Sequence, residues 1–255
     1  MARWLNRRMH PIRLKKPVVT FTFDDFPRSA LLVAGTMLRN HGFYGTYYTS
    51  FGLMDKTAPT GEIFKRSDLP EFIRQGHELA CHTFDHCHSW DTAPDVYEAS
   101  IRANQRAAAE LLDGLKMNHF SYPISHPRPE TKRRVSSHYQ TARGGGQAHN
   151  SGETDLNFLK AFFLEQSRDD FAAIQGVIDA NARANGWLIF ATHDVCAEPT
   201  RYGCTPELFK KTLQSSIVSG AEILTINQAM NRLHPANAMG PDKPVNRDAG
   251  KPALR

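Results

Sequence analysis

Residues 18–23 read Val-Val-Thr-Phe-Thr-Phe, all β-branched or aromatic and uncharged, and they run straight into two aspartates, Asp24 and Asp25. An uncharged run of this kind is a strand covered on both faces, as in a parallel sheet. Folds built on parallel sheets place their active sites at the C-terminal ends of the strands. The acid pair stands at such an end. Adjacent ionised carboxylates repel, so the pair is tolerable where a cation binds or one carboxyl keeps its proton. The structural alternative is a helix N-cap acid with a solvated neighbour.

The rest of the chain alternates strand and helix. Helical spacing over 29–40 precedes a strand at 44–49. Residues 50–65 show no period and read as a loop over one mouth of the fold. A short helix from Ser67 to Gln75 stops at Gly76, and a third strand covers 77–81. A long alanine-rich helix over 94–112, a short strand at 119–122, a helix at 130–137 and a strand at 139–142 follow. Residues 156–164 are open between strand and helix. Helix 169–185, strand 187–192, helix 206–219 and a last strand at 221–226 complete the series. Seven or eight strands, each followed by a helix, predict a closed or nearly closed β/α barrel. An open doubly wound sheet is the alternative, but no Gly-rich phosphate loop follows the first strand.

With no repeats and no linker, one domain at 17–233 is expected. A basic segment (1–16) precedes it, and a loosely held tail rich in Pro, Asn, Gly and charge (234–255) follows. The 255 residues are 40% hydrophobic and 22% charged, as in a soluble globular protein. The net charge of +5 is scattered and belongs to no nucleic-acid motif. No apolar run is long enough to be an export signal or to span a membrane, so a cytoplasmic location is expected. Cys81, Cys87, Cys196 and Cys204 form no CxxC pair and are expected as thiols.

Polar and titratable residues gather at the strand ends. Asp24 and Asp25 follow the first strand, His82-Thr83-Phe84-Asp85-His86 the third, and Tyr122-Pro123 the fourth. Arg143 follows the strand at 139–142, and His193-Asp194 the strand at 187–192. A His-x-x-x-His spacing alone is weak, since 12 histidines in 255 residues give about 0.5 such pairs by chance. In a helical turn, however, residues four apart share a face, and two imidazoles plus a carboxylate form a site with positions left for water.

The segments Thr22-Phe23-Asp24-Asp25, His82-Thr83-Phe84-Asp85-His86 and His193-Asp194, in that order, resemble the polysaccharide deacetylase family. This is the NodB-homology group, or carbohydrate esterase family four. The resemblance covers residues 17 to about 230. It implies an irregular (β/α) barrel of NodB-homology type, with Asp24 as catalytic base and His193 as catalytic acid. Asp25, His82 and His86 would hold one divalent metal ion, zinc first, with cobalt, nickel or manganese as alternatives. An acetylated saccharide is the implied substrate.

The sequence departs from that family in four places. Phe26 stands where a glycine is usual and would bulk up the rim. Ser121 replaces an arginine, and Arg143 is the candidate to take over its role beside Asp24. The segment that would supply a partner for His193 is not recognisable, and Ala191 is small for an acyl-methyl pocket.

The residues carry the chemistry on their own terms as well. A metal-bound water has its pKa lowered toward about 7, Asp24 would accept its proton, and His193 would protonate a leaving amine. A backbone N–H near Tyr122 would stabilise the oxyanion, and Arg143 would keep Asp24 ionised through two parallel hydrogen bonds. Tyr122, Pro123, Tyr202 and Phe26 are the expected substrate contacts, and residues 195–205 the expected lid. Trp90 is either a sugar platform or simple packing. His88 and His149 are expected as surface or supporting residues, and Cys81, alternating with His82, as core.

The leading expectation is metal-dependent removal of N-acetyl, or else O-acetyl, groups from a carbohydrate. Alternatives are a related C–N hydrolase acting on a non-glycan or formyl-sugar substrate, and a glycan-binding module that keeps the metal without turnover.

Overall fold

A computed structural model describes residues 4–167 and 170–234. Its strands are β1 (Met9–Ile12), β2 (Val18–Asp24), β3 (Thr46–Thr49), β4 (Thr57–Ala58), β5 (Gly61–Glu62), β6 (Glu78–Cys81), β7 (His119–Ser121), β8 (Thr141–Arg143), β9 (Gly152–Asp155), β10 (Phe162–Phe163), β11 (Trp187–Thr192) and β12 (Glu222–Ile223). The helices are α1 (Thr36–Asn40), α2 (Leu69–Gln75), α3 (Pro94–Leu111), α4 (Pro129–His138), α5 (Phe171–Ala184), α6 (Pro206–Val218) and α7 (Ile226–Leu233).

Eight strands form one parallel sheet in the order β10-β11-β2-β3-β6-β7-β8, with β12 beside the start of β2. The second edge of β2 is thus shared, with β12 against Val18 and Val19 and β3 against Thr22 to Asp24. Between β8 and β10 the gap is bridged by residues 156–159, whose Leu156 and Leu159 exchange backbone hydrogen bonds with Ala142 and Gly144. The result is the irregular (β/α) barrel expected from the sequence.

Every residue of β2 and β11 is buried, because successive side chains serve two cores. Val19, Phe21, Phe23, Leu79, Phe120, Leu188 and Phe190 point outward and pack under the helices. Val18, Tyr48, Ala80, Trp187, Ile189 and Ala191 point inward. Inside the barrel the Trp187 indole N–H donates to Thr20 Oγ1 at 2.9 Å, so a polar edge costs little there.

The structure differs from expectation in the loop at 50–65 and at the last strand. Residues 50–65 contain the β4–β5 hairpin. The last strand ends at Ile223, and Thr225 and Gln228 form a reciprocal cap that starts α7. Ile226, Ala229 and Met230 of that helix fill the barrel interior from below. Within the basic N-terminal segment, β1 pairs antiparallel with β9, and Arg8 binds the carbonyls of Tyr139 and Gln140. The expected tail lies outside the described residues from position 235 onward.

Under that N-terminal segment, Lys132 of α4 is fully buried and paired with Asp155 at the end of β9. Asp155 also accepts the backbone N–H groups of Arg8 and Asn157 at 2.9 and 3.0 Å. Lys132→Ala leaves that carboxylate buried without its cation, and stability should fall by about 3–5 kcal/mol. In urea titrations the midpoint should drop with an unchanged slope; an unmoved midpoint would show that the pair contributes nothing.

Candidate active site

Register and alternation build the site. Thr192 lies opposite Phe23, which sets His193 level with Asp24. Cys81 lies opposite Phe120, which sets His82 level with Ser121, and Ser121 lies opposite Arg143. Counting by twos along each strand, Asp24, His82, Ser121, Arg143 and His193 all fall on the inward face. Five strand ends thus contribute one ring of polar side chains at the C-terminal mouth.

Arg143 is 1% exposed, and its terminal nitrogen donates to Asp24 Oδ1. The contact uses one oxygen rather than the expected fork. The second terminal nitrogen turns to the Gly144 carbonyl at 3.3 Å. The guanidinium lies over the Tyr48 and Phe163 rings, at 4.9 and 5.3 Å from their centroids, which favours its buried charge. Burial pushes the Asp24 carboxyl up, but Arg143, with His82 and His193, outweighs it and holds the group down at about 2. Asp24 is therefore a carboxylate at any working pH.

Asp25 turns away from the strand. Its φ of +62° and that of Phe26, +60°, are left-handed, a conformation non-glycine residues adopt at a cost of about 1–3 kcal/mol each. The turn swings the Asp25 carboxylate over the mouth and drops Phe26 into the core against Tyr47, Phe64 and Phe72. Thr60, from the β4–β5 connection, donates to Asp25 Oδ2 at 2.9 Å. Oδ1 is buried with no hydrogen-bond partner, yet it lies 3.3 Å from His86 Nε2 and 3.7 Å from His82 Nε2.

The two histidines meet through a bent loop and not the expected helical turn. Thr83 and His86 have φ of +60° and +52°. The Ser100 hydroxyl accepts the N–H groups of Phe84 and Asp85 and donates to the Asp85 carboxylate, while Thr83 Oγ1 accepts the Cys87 N–H at 2.9 Å. His82 Nδ1 donates to the Ser121 carbonyl at 2.9 Å, which leaves a lone pair on Nε2. Burial lowers His82 to about 4 and also lowers His86, so both are neutral imidazoles. One ligand atom from each of Asp25, His82 and His86 lies within 4.8 Å of the others. Two neutral imidazoles facing an orphaned carboxylate oxygen are donors that suit a divalent cation, so the residues fit one.

His193 is half-buried on the other side of Asp24. Its Nδ1 and its backbone N–H both donate to the Tyr202 carbonyl, at 3.0 and 3.2 Å. The partner that the sequence left unassigned is thus a main-chain oxygen of the loop that follows. Glu165, just after β10, was missed because residues 156–164 were open between strand and helix. Burial pushes its carboxyl up to about 7, against the pull of the nearby His193, and its Oε2 has no hydrogen-bond partner. An acid directly after an apolar Phe162-Phe163-Leu164 run was the available signal.

Several expected substrate contacts lie elsewhere. Phe26 is fully buried, and Tyr122 is on the outward face, its hydroxyl donating to the Asn157 carbonyl at 3.1 Å. Alternation from Ser121 requires this. The Tyr122 N–H is spent on the Arg143 carbonyl at 3.0 Å, so it is not a free oxyanion donor. Pro123 is buried, and the next residue, Ile124, is 58% exposed. The Tyr202 ring remains beside His193, with centroids 5.6 Å apart. Trp90 is 61% exposed, which removes the packing alternative. Its loop is fastened to the rim by the Arg128 N–H on Ser89 Oγ at 2.7 Å. His88 is half-buried beside Asp91, and Cys81 is core.

A family model for polysaccharide deacetylase matches residues 12–142, just over half of the chain and the part that carries Asp24, Asp25, His82, His86 and Ser121. The chain belongs to the polysaccharide deacetylase family. Solved structures share the fold of this deacetylase family member at low identity. The chitin deacetylase of the fungal pathogen Colletotrichum lindemuthianum matches with a TM-score of 0.63 and 14% identity, covering 86% of this chain and 90% of that one. The family 4 carbohydrate esterase of Streptomyces lividans, solved with acetate, matches at 0.56 and 17%, covering 83% and 93%. A family 4 pseudoenzyme of Bacillus anthracis matches at 0.61 and 10%, covering 88% and 68%. A comparison with curated proteins gives no match. No helix among the described residues is long and apolar enough to cross a membrane.

For this polysaccharide deacetylase family member the donor set makes a direct prediction. Purified protein should hold close to one equivalent of a divalent ion by elemental analysis, and His82→Ala or His86→Ala should remove most of it. Full occupancy in both variants would rule the site out.

Proposed function

We propose that the protein is a metal-dependent hydrolase that removes N-acetyl groups from a carbohydrate. The observation that carries this reading is the division of the acid pair. Arg143 holds Asp24 ionised, while Asp25 presents an unpartnered oxygen to two neutral imidazoles. One carboxylate is equipped as a base and its neighbour as a ligand.

Asp25, His82 and His86 would hold the ion, with zinc favoured by the two imidazoles and one carboxylate. When bound, the ion supplies a Lewis acid and an acidified water. Asp24 takes the proton of the attacking water, and Arg143, held over the Tyr48 and Phe163 rings, keeps the carboxylate aimed. Ser121 stands between His82 Nδ1 at 2.6 Å and Asp24 Oδ1 at 3.5 Å and couples ligand to base. His193 donates a proton from Nε2 to the leaving nitrogen, a step an amide needs because its nitrogen leaves badly unprotonated. The exposed Trp90 and the Tyr202 ring beside His193 are suited to the apolar faces of a sugar.

A base, an acid and an oriented arginine are superfluous in a binding module, which favours turnover over the alternative that retains only the metal. A panel of N- and O-acetylated sugars, cyclic ureides and formamides tests the substrate class. Acetate release from an N-acetylated sugar is expected, and activity confined to ureides or formamides would overturn the proposal in favour of a related C–N hydrolase.

Asp24→Asn should keep the metal and lose at least about a hundredfold in kcat, whereas Asp25→Asn should lose both metal and activity. Equal behaviour of the two variants would contradict the division of roles. Arg143→Lys should keep the metal and change KM little, with kcat down at least about tenfold, since an ammonium cannot reproduce the stacked guanidinium. Wild-type kinetics in that variant would leave Asp24 without an orienting partner.

A further inference from the structure

Asp194, directly after His193, is 3% exposed. It belongs to neither the metal donor set nor the Asp24–Arg143 pair. A buried carboxylate is costly unless hydrogen bonds satisfy it, and here one short loop does so. Thr200 donates its backbone N–H to Oδ2 at 2.7 Å and its hydroxyl to Oδ1 at 2.6 Å. The Asp194 backbone carbonyl accepts the Cys204 N–H at 3.0 Å, beside a parallel bridge between Val195 and Cys204.

The same contacts aim a carbonyl at His193. Gly203 lies flat against Asp194, and a Cβ there would come within 2.2 Å of Oδ1 and 2.4 Å of the backbone oxygen. Only glycine lets the loop close this tightly. Gly203 N–H is bound to the Thr200 carbonyl at 3.1 Å, and Tyr202 N–H to Thr200 Oγ1 at 3.3 Å. Tyr202 is thereby held on both sides, and its own carbonyl takes two donors from a single residue, the N–H and the Nδ1 of His193. A carbonyl oxygen can only accept, so Nδ1 carries the hydrogen and the exchangeable position is Nε2.

We propose that Asp194 is a positioning residue: it folds residues 195–205 into a clamp whose Tyr202 carbonyl fixes the tautomer and aim of His193. This rests on the proposed hydrolase reading for its consequence, but the tautomer can be measured without turnover. The same clamp also anchors the expected lid at its base, because Val195 N–H is bound to Ser29 Oγ at 3.1 Å.

The test uses zinc-loaded protein labelled with 15N-histidine, with His193→Gln to assign the resonance. Wild-type protein should show His193 with hydrogen on Nδ1 and none on Nε2 in the neutral ring. Asp194→Asn and Gly203→Ala should shift those 15N signals toward a mixture of tautomers. They should also lower kcat by about tenfold to a hundredfold with little change in KM or zinc content. Thr200→Val, which keeps the volume and the backbone donor, should give a smaller change in the same direction and covers the case in which the first two fail to fold. A retained Nδ1–H signature with wild-type kcat in any variant that keeps its zinc and near-ultraviolet dichroism would overturn the clamp. Shifted tautomers in a protein without acetate release would keep the clamp and sink the hydrolase reading instead.

Discussion

The two-residue alternation of parallel strands is the constraint on which this molecule depends. It divides β2 into Val19, Phe21 and Phe23 for the outer core and Val18, Thr20, Thr22 and Asp24 for the interior. The same alternation on β6, β7, β8 and β11 delivers His82, Ser121, Arg143 and His193 to one level. A slip of one residue in any strand would exchange a site residue for a core residue. Chemistry and packing are therefore written in the same strands, in alternate positions.

Gathering a polar ring at a buried mouth has an electrostatic cost, and its members offset it in different ways. Asp24 is matched by Arg143, whose guanidinium itself lies over the Tyr48 and Phe163 rings. His82 and His86 avoid the cost by being neutral. Asp25 is the remainder: one oxygen is satisfied by Thr60 and the other is not. The left-handed residues Asp25, Phe26, Thr83, His86, Ile124 and Ser125 cluster around this mouth, so backbone strain is concentrated where function is proposed.

Much of this was legible in the sequence, and for physical reasons. An apolar run ending in a charged residue marks both a buried strand and its C-terminal end, which is how Asp24, Asp25, His82, His86, Arg143 and His193 could be collected before any fold was known. The side on which a residue just past a strand end falls is less legible. Tyr122 follows the alternation outward, and Phe26 is carried into the core by a left-handed turn that no residue type announces. Helix α7 was hidden because Ile226 was read as the end of a strand, although Thr225 and Gln228 signalled a helix start. Glu165 lay behind a continuous apolar stretch open between strand and helix, and the Tyr202 carbonyl, being backbone, has no sequence signal at all.

The central claim is that Asp25, His82 and His86 form a metal centre beside an ionised Asp24. Anomalous diffraction from crystals grown with zinc tests it most directly. One strong peak is expected about 2.0–2.2 Å from Asp25 Oδ1 and the Nε2 atoms of both histidines, with Asp24 still on Arg143 and outside the coordination sphere. No peak at that position, or a zinc ion held by Asp24 in place of Asp25, would contradict it.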